Sequence, residues 1–343
     1  MIPLISLLKK DFEVITAAGG NARLVIKDAF PDLKCYNLPG MKITYPDSNF
    51  MKGAIKRIPG FLFHSVREFF LARRLVKTLK PDIIISDNRY GVFNKRAFSI
   101  IITHQLFVFI PGKLKVFRSA ISYALNKACN FFDECWIPDI PGKYSLSGLI
   151  SQPALKKEKY FHTGWLSHFS IFKNIPSHTE KKVWRVIAII SGPEPQRSIF
   201  EDILTKQLSP AEFPSLMVSG LPAKNKVSPT QSGNLKKIPY MKTGELLHAI
   251  NRSETVICRS GYSSVADMAT LGKRAIFIPT PGQPEQEYLA GRLKQKGWYY
   301  SEKQGNFDLL RALELSEEYS FPAPGYNPGL LAGLIEKLKN HER

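Results

Sequence analysis

The chain has 343 residues, 44% hydrophobic and 22% charged, with a formal net charge of +19. That length suits two domains of ordinary size, and the apolar share excludes global disorder. Four widely spaced cysteines form no Cys-x-x-Cys pair, so neither a zinc site nor a disulfide framework is indicated, and reduced thiols in a cytoplasmic protein are expected.

In chain order, Met1–Lys10 is predicted as an amphipathic helix with Ile2, Leu4, Ile5, Leu7 and Leu8 apolar, followed by a strand over 12–17. An apolar start that turns basic reverses the order of a signal peptide, and no run approaches the roughly 20 apolar residues of a membrane span. Residues 23–31 read as a helix stopped at Pro31, and Gly40–Asn49, with Tyr45-Pro46, as a loop. Ile58–Leu79 has the spacing of a long basic amphipathic helix, whose apolar side should pack on a sheet. Two buried strands follow, Asp82–Ser86 and Ser99–Thr103, each running into a polar loop. Strands that end this way place their loops at the carboxyl edge of an open parallel sheet, where ligands bind. Asp87 and His104 are therefore candidate bases. Arg89, with Tyr90, is a candidate for holding an anionic acceptor. Ordinary loop capping accounts for the same residues.

Leu106–Phe132 alternates Lys113, Lys115, Arg118 and Lys127 with aromatic and aliphatic residues. It suits either an anionic membrane surface, with Phe107, Phe109 and Phe117 inserted, or a loop and buried helix. Residues 1–180 hold 26 Lys and Arg against 13 Asp and Glu, so +13 of the +19 lies in this half. A phosphorylated ligand or anionic lipid fits that charge. Nucleic acid fits less well, since no helix-turn-helix, zinc-finger or RNP-type motif is present. Strands at 134–138 and 159–163 complete a first domain over 1–167, and the polar stretch 168–182 reads as a linker.

A second domain over 183–325 opens with the apolar strand Val183–Ile190 and a turn, Ser191-Gly192-Pro193-Glu194-Pro195, that feeds a helix over 196–208. Small residues at a strand-to-helix turn leave backbone N–H groups free for a phosphate, which Ser191 and Gly192 could approach and Arg197 could neutralise. The two prolines remove N–H groups from that turn. A short strand at 216–219, a polar loop over 223–234 and a strand at 237–241 precede a helix capped by Thr243. Thr255–Lys296 then reads strand, tight loop, helix, strand, Pro/Gly loop, helix. Arg259, Ser260 and Gly261 break the first strand; Val265, Met268 and Ala269 have helical spacing; Gly272 sits at the C-cap. Free N–H groups and the positive helix end make this an anion site, to which Ser263 and Ser264 add hydroxyls. Asp267, one turn on, suits a ribose hydroxyl. Residues 298–300 are predicted as a last strand, and 326–343 holds an amphipathic helix able to pack back on the first domain.

The stretch 240–297 resembles the donor half of the GT-B nucleotide-sugar glycosyltransferases, nearest the MurG type. Cys258, Arg259, Ser260 and Gly261 stand at that family's spacing. Asp267 falls where the family has a Glu on the ribose. Gln286 and Glu287 fall where it has two glutamines facing the sugar, so the second position departs. The resemblance implies two doubly wound Rossmann-like domains facing a cleft (α/β, GT-B), with Arg259 in the donor-binding set and the base held near Tyr240 and the Met241 backbone. It also implies a Gly-rich loop, often with a histidine, ahead of the first helix; this chain as given lacks it.

The reading that follows is transfer of a hexose or N-acetylhexosamine from a UDP-sugar to a hydroxyl acceptor, a lipid-linked one included. Ser260, Gly261, Ser263 and Ser264 would hold the diphosphate. No Asp-x-Asp is present, which fits a route without metal or other cofactor. The protein is expected in the cytoplasm, with the inner membrane face as a place of contact. Two alternatives stand beside this one: a catalytically impaired nucleotide-sugar-binding protein of the same fold, and a UDP-sugar epimerase.

Overall fold

A computed structural model describes residues 1–40, 50–109, 116, 118–153, 158–172, 181–222, 228–322 and 329–340. Expectations for Tyr45-Pro46, Lys113, Lys115, Phe117, the 173–180 part of the linker and the 223–227 part of the polar loop lie outside these residues.

The first half comprises α1 (Ile2–Leu8), β1 (Thr16–Ala18), α2 (Gly20–Ala29), β2 (Cys35–Asn37), α3 (Phe50–Leu79), β3 (Ile83–Asp87), β4 (Phe98–Ile102), α4 (Arg118–Cys129), β5 (Glu134–Ile137) and β6 (Tyr160–His162). Strands β3-β4-β5-β6 form one parallel sheet, and β1-β2 a separate parallel pair. The predicted strand over 12–17 is shorter and later than its apolar pattern suggested. Phe12 and Val14 instead pack against the cluster of Leu4, Ile100 and Trp136. Alternation along β4 builds two cores at once. Ile100 and Ile102 face α1 and the C-terminal helix, whereas Ile101 faces Leu106, Cys129 and Phe132.

The second half comprises β7 (Trp184–Ile189), α5 (Gln196–Leu208), β8 (Ser215–Val218), β9 (Thr230–Ser232), β10 (Leu235–Ile238), α6 (Thr243–Asn251), β11 (Ser253–Cys258), α7 (Tyr262–Leu271), β12 (Ala275–Phe277), α8 (Pro284–Gln295), β13 (Tyr300–Ser301), α9 (Leu309–Leu315) and α10 (Gly329–Lys339). The sheet order is β13-β12-β11-β7-β8-β10-β9, parallel except for β9. Helices α6, α7 and α8 cover one face; α5 and α9 cover the other. Three local expectations shift. The end of the polar loop supplies edge strand β9. Lys242, not Thr243, precedes the helix, and Glu245 accepts from its backbone N–H at 2.9 Å. Trp298 and Tyr299 are core side chains and the strand starts at Tyr300. Gly272 ends α7 in the left-handed conformation at φ +57, as its position implied.

Because β7 leads on one side to β8 and β10 and on the other to β11, the strand order reverses between β7 and β11. Cys258 is in register with Ile189 there, so the loops after these two strands leave the sheet side by side. That switch point is where an open α/β sheet offers a crevice. Helix α10 returns to the first sheet, burying Leu331, Ile335 and Leu338 and pairing Lys337 with Glu134 at 2.6 Å. No helix among the described residues is long and apolar enough to cross a membrane.

Candidate active site at the cleft between the two sheets

The crevice at the switch point is flanked by the starts of α5 and α7. Gly261 caps α7 in an extended conformation, and the first intrahelical bond runs from Val265 N–H to Gly261 O at 3.0 Å. The N–H groups of Tyr262, Ser263 and Ser264 are thus left pointing out of the helix start. Ser263 is exposed and Ser264 half-buried, so both hydroxyls are within reach of a ligand. Ser260 is fully buried and donates to Gln286 O at 2.9 Å, tying α7's approach loop to α8. The Gln286 side chain is itself fixed: Oε1 accepts from Thr280 N–H at 2.9 Å, and Nε2 donates to Gln283. Glu287 accepts from Gly282 N–H at 3.2 Å. On the other flank, Ser191 and Gly192 are exposed after β7.

The wall opposite comes from the first domain. His104, just past β4, has Nε2 2.9 Å from Glu285 Oε1 on α8, and Gln105 donates to the other carboxylate oxygen. The imidazole lies flat on the Tyr262 ring, with centroids 4.4 Å apart and planes at 17°. Tyr262 is anchored through its hydroxyl to Pro138 O, and burial raises its phenol well above the ordinary value. Burial pushes the Glu285 carboxyl up, but the hydrogen bonds from His104 and Gln105 and the His104 charge outweigh it and hold that carboxyl below the usual range. Asp87, at the end of β3 and in register with Ile102, is exposed beside this cluster.

A turn after β5 completes the contact between halves. The buried Asp139 carboxylate accepts from Ile140 N–H at 2.8 Å, Ser145 Oγ at 2.8 Å, Ser147 N–H at 3.0 Å and Trp165 Nε1 at 3.1 Å. This satisfied charge fixes the loop that meets α8. There Leu149 N–H donates to Tyr288 Oη at 3.0 Å and Arg292 donates to Ser145 O at 3.1 Å. Phe109 stacks on Tyr288 at 4.1 Å. On the far rim Tyr240 Oη donates to Asp28 at 3.4 Å, and Lys242 lies 3.6 Å from the same carboxylate.

The Glycosyltransferase family 28 C-terminal domain matches residues 207–314. A UDP-N-acetylglucosamine–N-acetylmuramyl-(pentapeptide) pyrophosphoryl-undecaprenol N-acetylglucosamine transferase of Nocardia farcinica is 30% identical over 262 residues. That match takes in 70% of this chain, and the chain spans 62% of that relative's length. Acinetobacter baumannii MurG superposes with a TM-score of 0.50 and 16% identity, over 99% of this chain and 90% of its own. The glycosyltransferase SnogD from Streptomyces nogalater gives 0.61 and 14%, over 99% and 94%. The chain has the GT-B glycosyltransferase fold and resembles the MurG-type transferases. Both predicted Rossmann-like halves are present in that fold.

Within this GT-B fold, several residues singled out in the sequence are occupied by the protein itself. Arg259 is 1% exposed. It donates to Ile278 O and Pro279 O at 3.2 Å, to Gln196 O at 2.8 Å and to Gln304 Oε1 at 2.6 Å, and it stacks on Phe200. It braces the floor of the crevice in place of touching a donor, and burial lowers its pKa to about 9. Arg197 is held by Glu194 in the turn before α5 at 2.6 Å and by Glu201 on α5 at 2.7 Å, so its charge is neutralised locally. Arg89 is held by Glu68 at 2.7 Å and by Leu38 O and Pro39 O, a loop clamp and not a free anion hook. The Tyr90 ring packs into the cluster around Ile101 and Leu106. Asp267 accepts from Ser167 Oγ at 2.7 Å, His168 N–H at 2.8 Å and His168 Nδ1 at 3.1 Å, so the start of the predicted linker is bound where a ribose was expected. Met241 packs, partly buried, on the larger core.

Sequence reading missed Glu285, Tyr262, Asp139 and Thr280. Glu285 sat next to Gln286, and only its partner in the other half gives it significance. Thr280 is fully buried with a hydroxyl that has no partner among the described residues, beside the Gln286 amide. A cavity of about 530 Å³ opens at the opposite edge of the larger sheet, lined by Lys182, Glu254, Lys273, Arg274, Trp298 and Phe321, far from the strand carboxyl ends.

Proposed function

We propose that this chain transfers a sugar from a UDP-sugar to a hydroxyl acceptor, with the diphosphate on the start of α7. The observation that carries this reading is the switch point itself: two helix starts at the carboxyl ends of adjacent strands β7 and β11, the second with three free N–H groups and two hydroxyls. Gln286 and Glu287 stand in the first turn of α8, after the next loop, where sugar hydroxyls would lie. Uridine and N-acetylglucosamine are favoured by the name of the Nocardia farcinica relative, which gives that donor and a polyprenyl-linked acceptor.

In the reaction, the acceptor O–H loses its proton to a base, its oxygen bonds to the anomeric carbon, and the bond to the diphosphate oxygen breaks with the electron pair leaving on UDP. The helix dipole and the Tyr262, Ser263 and Ser264 N–H groups would stabilise that developing charge, a route that needs no metal. His104 suits the base better than Asp87, since its ring is held at the cleft by two contacts and Asp87 stays solvated.

An acceptor carried by lipid fits one further surface. On α3, Phe63, Val66 and Phe70 are exposed by 68%, 54% and 63%, and Phe131 by 64%. Phe69 and Phe93 join them into a patch, ringed by exposed Arg67, Arg73, Arg74 and Lys127. This composition suits the interface of an anionic bilayer.

The test is calorimetric titration of UDP and UDP-N-acetylglucosamine into the chain and into Ser263→Asp. Aspartate at the second residue of a helix favours the helix but sets a negative charge where the diphosphate belongs. Binding by the parent chain and at least tenfold weaker binding by the variant are expected. Equal affinity in both would remove the diphosphate from α7.

A further inference from the structure

We propose that Glu285 is a positioning residue for this reaction. It holds His104 by Nε2, so that Nδ1 is the nitrogen that takes the acceptor proton. The inference rests on the transfer reading above and adds to it how the base is assembled.

The two residues come from different halves of the molecule. His104 follows β4 in the first sheet, and Glu285 is the second residue of α8 on the larger one. Their 2.9 Å contact is supported on both sides. Gln105 binds the remaining Glu285 oxygen, and Thr103 Oγ1 accepts from Gln105 N–H at 3.0 Å while donating to Asn88 at 3.0 Å. The Tyr262 ring closes one face of the imidazole. A carboxylate can only accept, so His104 must present N–H at Nε2, which makes Nδ1 the lone-pair nitrogen in the neutral ring. Among the described residues Nδ1 has no partner. As the proton arrives at Nδ1, the imidazolium gains the Glu285 charge as a fixed counter-ion. The base is therefore complete only when the two halves are in the arrangement seen here, which ties proton removal to cleft geometry. Nothing in the sequence spacing links positions 104 and 285.

The experiment is nitrogen-15 NMR of histidine-labelled full-length chain at a pH where imidazole is neutral, with His104→Asn used to assign the signal among the seven histidines. A hydrogen-bonded N–H coupled to Nε2 and protected from solvent exchange is expected. Its exchange should speed up about tenfold or more in Glu285→Ala, and Glu285→Gln, which keeps a neutral acceptor, should restore most of the protection. A protected proton on Nδ1, or protection unchanged in Glu285→Ala, overturns the proposal and leaves the donor reading intact. Absence of UDP-sugar binding by the parent chain in calorimetry overturns the donor reading, and with it the base role of His104, whatever the spectra show.

Discussion

Replacing Arg259 separates two roles that its motif leaves confounded. Arg259→Ala removes a guanidinium that serves four acceptors, Gln196 O, Ile278 O, Pro279 O and Gln304 Oε1, at 2.6–3.2 Å. A buried acceptor left bare costs about 1–3 kcal/mol. Two effects oppose that loss. Water enters the vacated space, and the cation's own burial, which lowers its pKa to about 9, is relieved. The balance is about 3 kcal/mol of destabilisation, within the range for removing one partner of a buried charged group. For a domain of this size that lowers the melting temperature by about 10 °C. Arg259→Lys should fall nearly as far, because one ammonium cannot span both the β12 loop and the start of α5. Thermal unfolding followed by circular dichroism measures the drop, and UDP calorimetry on the same samples measures affinity. A melting temperature within about 2 °C of the parent, together with a loss of UDP affinity above tenfold, would show Arg259 reaching the ligand and refute the bracing role.

Other perturbations test separate parts of the structure. Lys273, 5% exposed and donating to Ser253 O, has its pKa lowered to about 7 by burial first and by the Lys182 charge second. Below pH 7 it is charged in both folded and unfolded chains and carries its full penalty; between about 7 and 10.5 only the unfolded chain keeps the proton, so stability rises with pH. Lys273→Met should raise the melting temperature at pH 6, with a gain that shrinks by pH 9; a gain independent of pH would contradict the burial argument. Gly148 has φ +55, and a Cβ there would lie 2.5 Å from Arg292 Cζ and 2.7 Å from Tyr288 Oη. Gly148→Ala should cost about 1–2 kcal/mol and loosen the contact with α8, seen as a lower melting temperature and a larger radius of gyration by X-ray scattering. The paired change Phe70→Ser and Phe131→Ser should cut co-sedimentation with anionic vesicles several-fold while leaving UDP affinity unchanged; equal sedimentation would exclude that patch as the membrane contact.

The sequence by itself determined the local architecture. The β-branched runs Ile83–Ile85, Ile100–Ile102 and Val256–Ile257 all form strands as expected, the last two buried and the first half-buried. The Gly261 and Gly272 punctuation bounded α7 to within a residue, because helix ends depend on backbone conformation that neighbouring residues dictate. Short elements were harder to read. β9, the start of β13 and α9 have too few residues for periodicity to separate them from loop, and edge pairing or packing on α5 decides them. What each polar residue of the candidate site does was left to tertiary structure. Arg89, Arg197, Arg259 and Asp267 have the chemistry of ligand contacts, yet each meets a complementary group brought from elsewhere, and a satisfied charge has little left for a ligand. Glu285 shows the converse. Its meaning comes from His104, 181 positions away, and only the packing of two sheets around one cleft brings the pair within hydrogen-bonding distance.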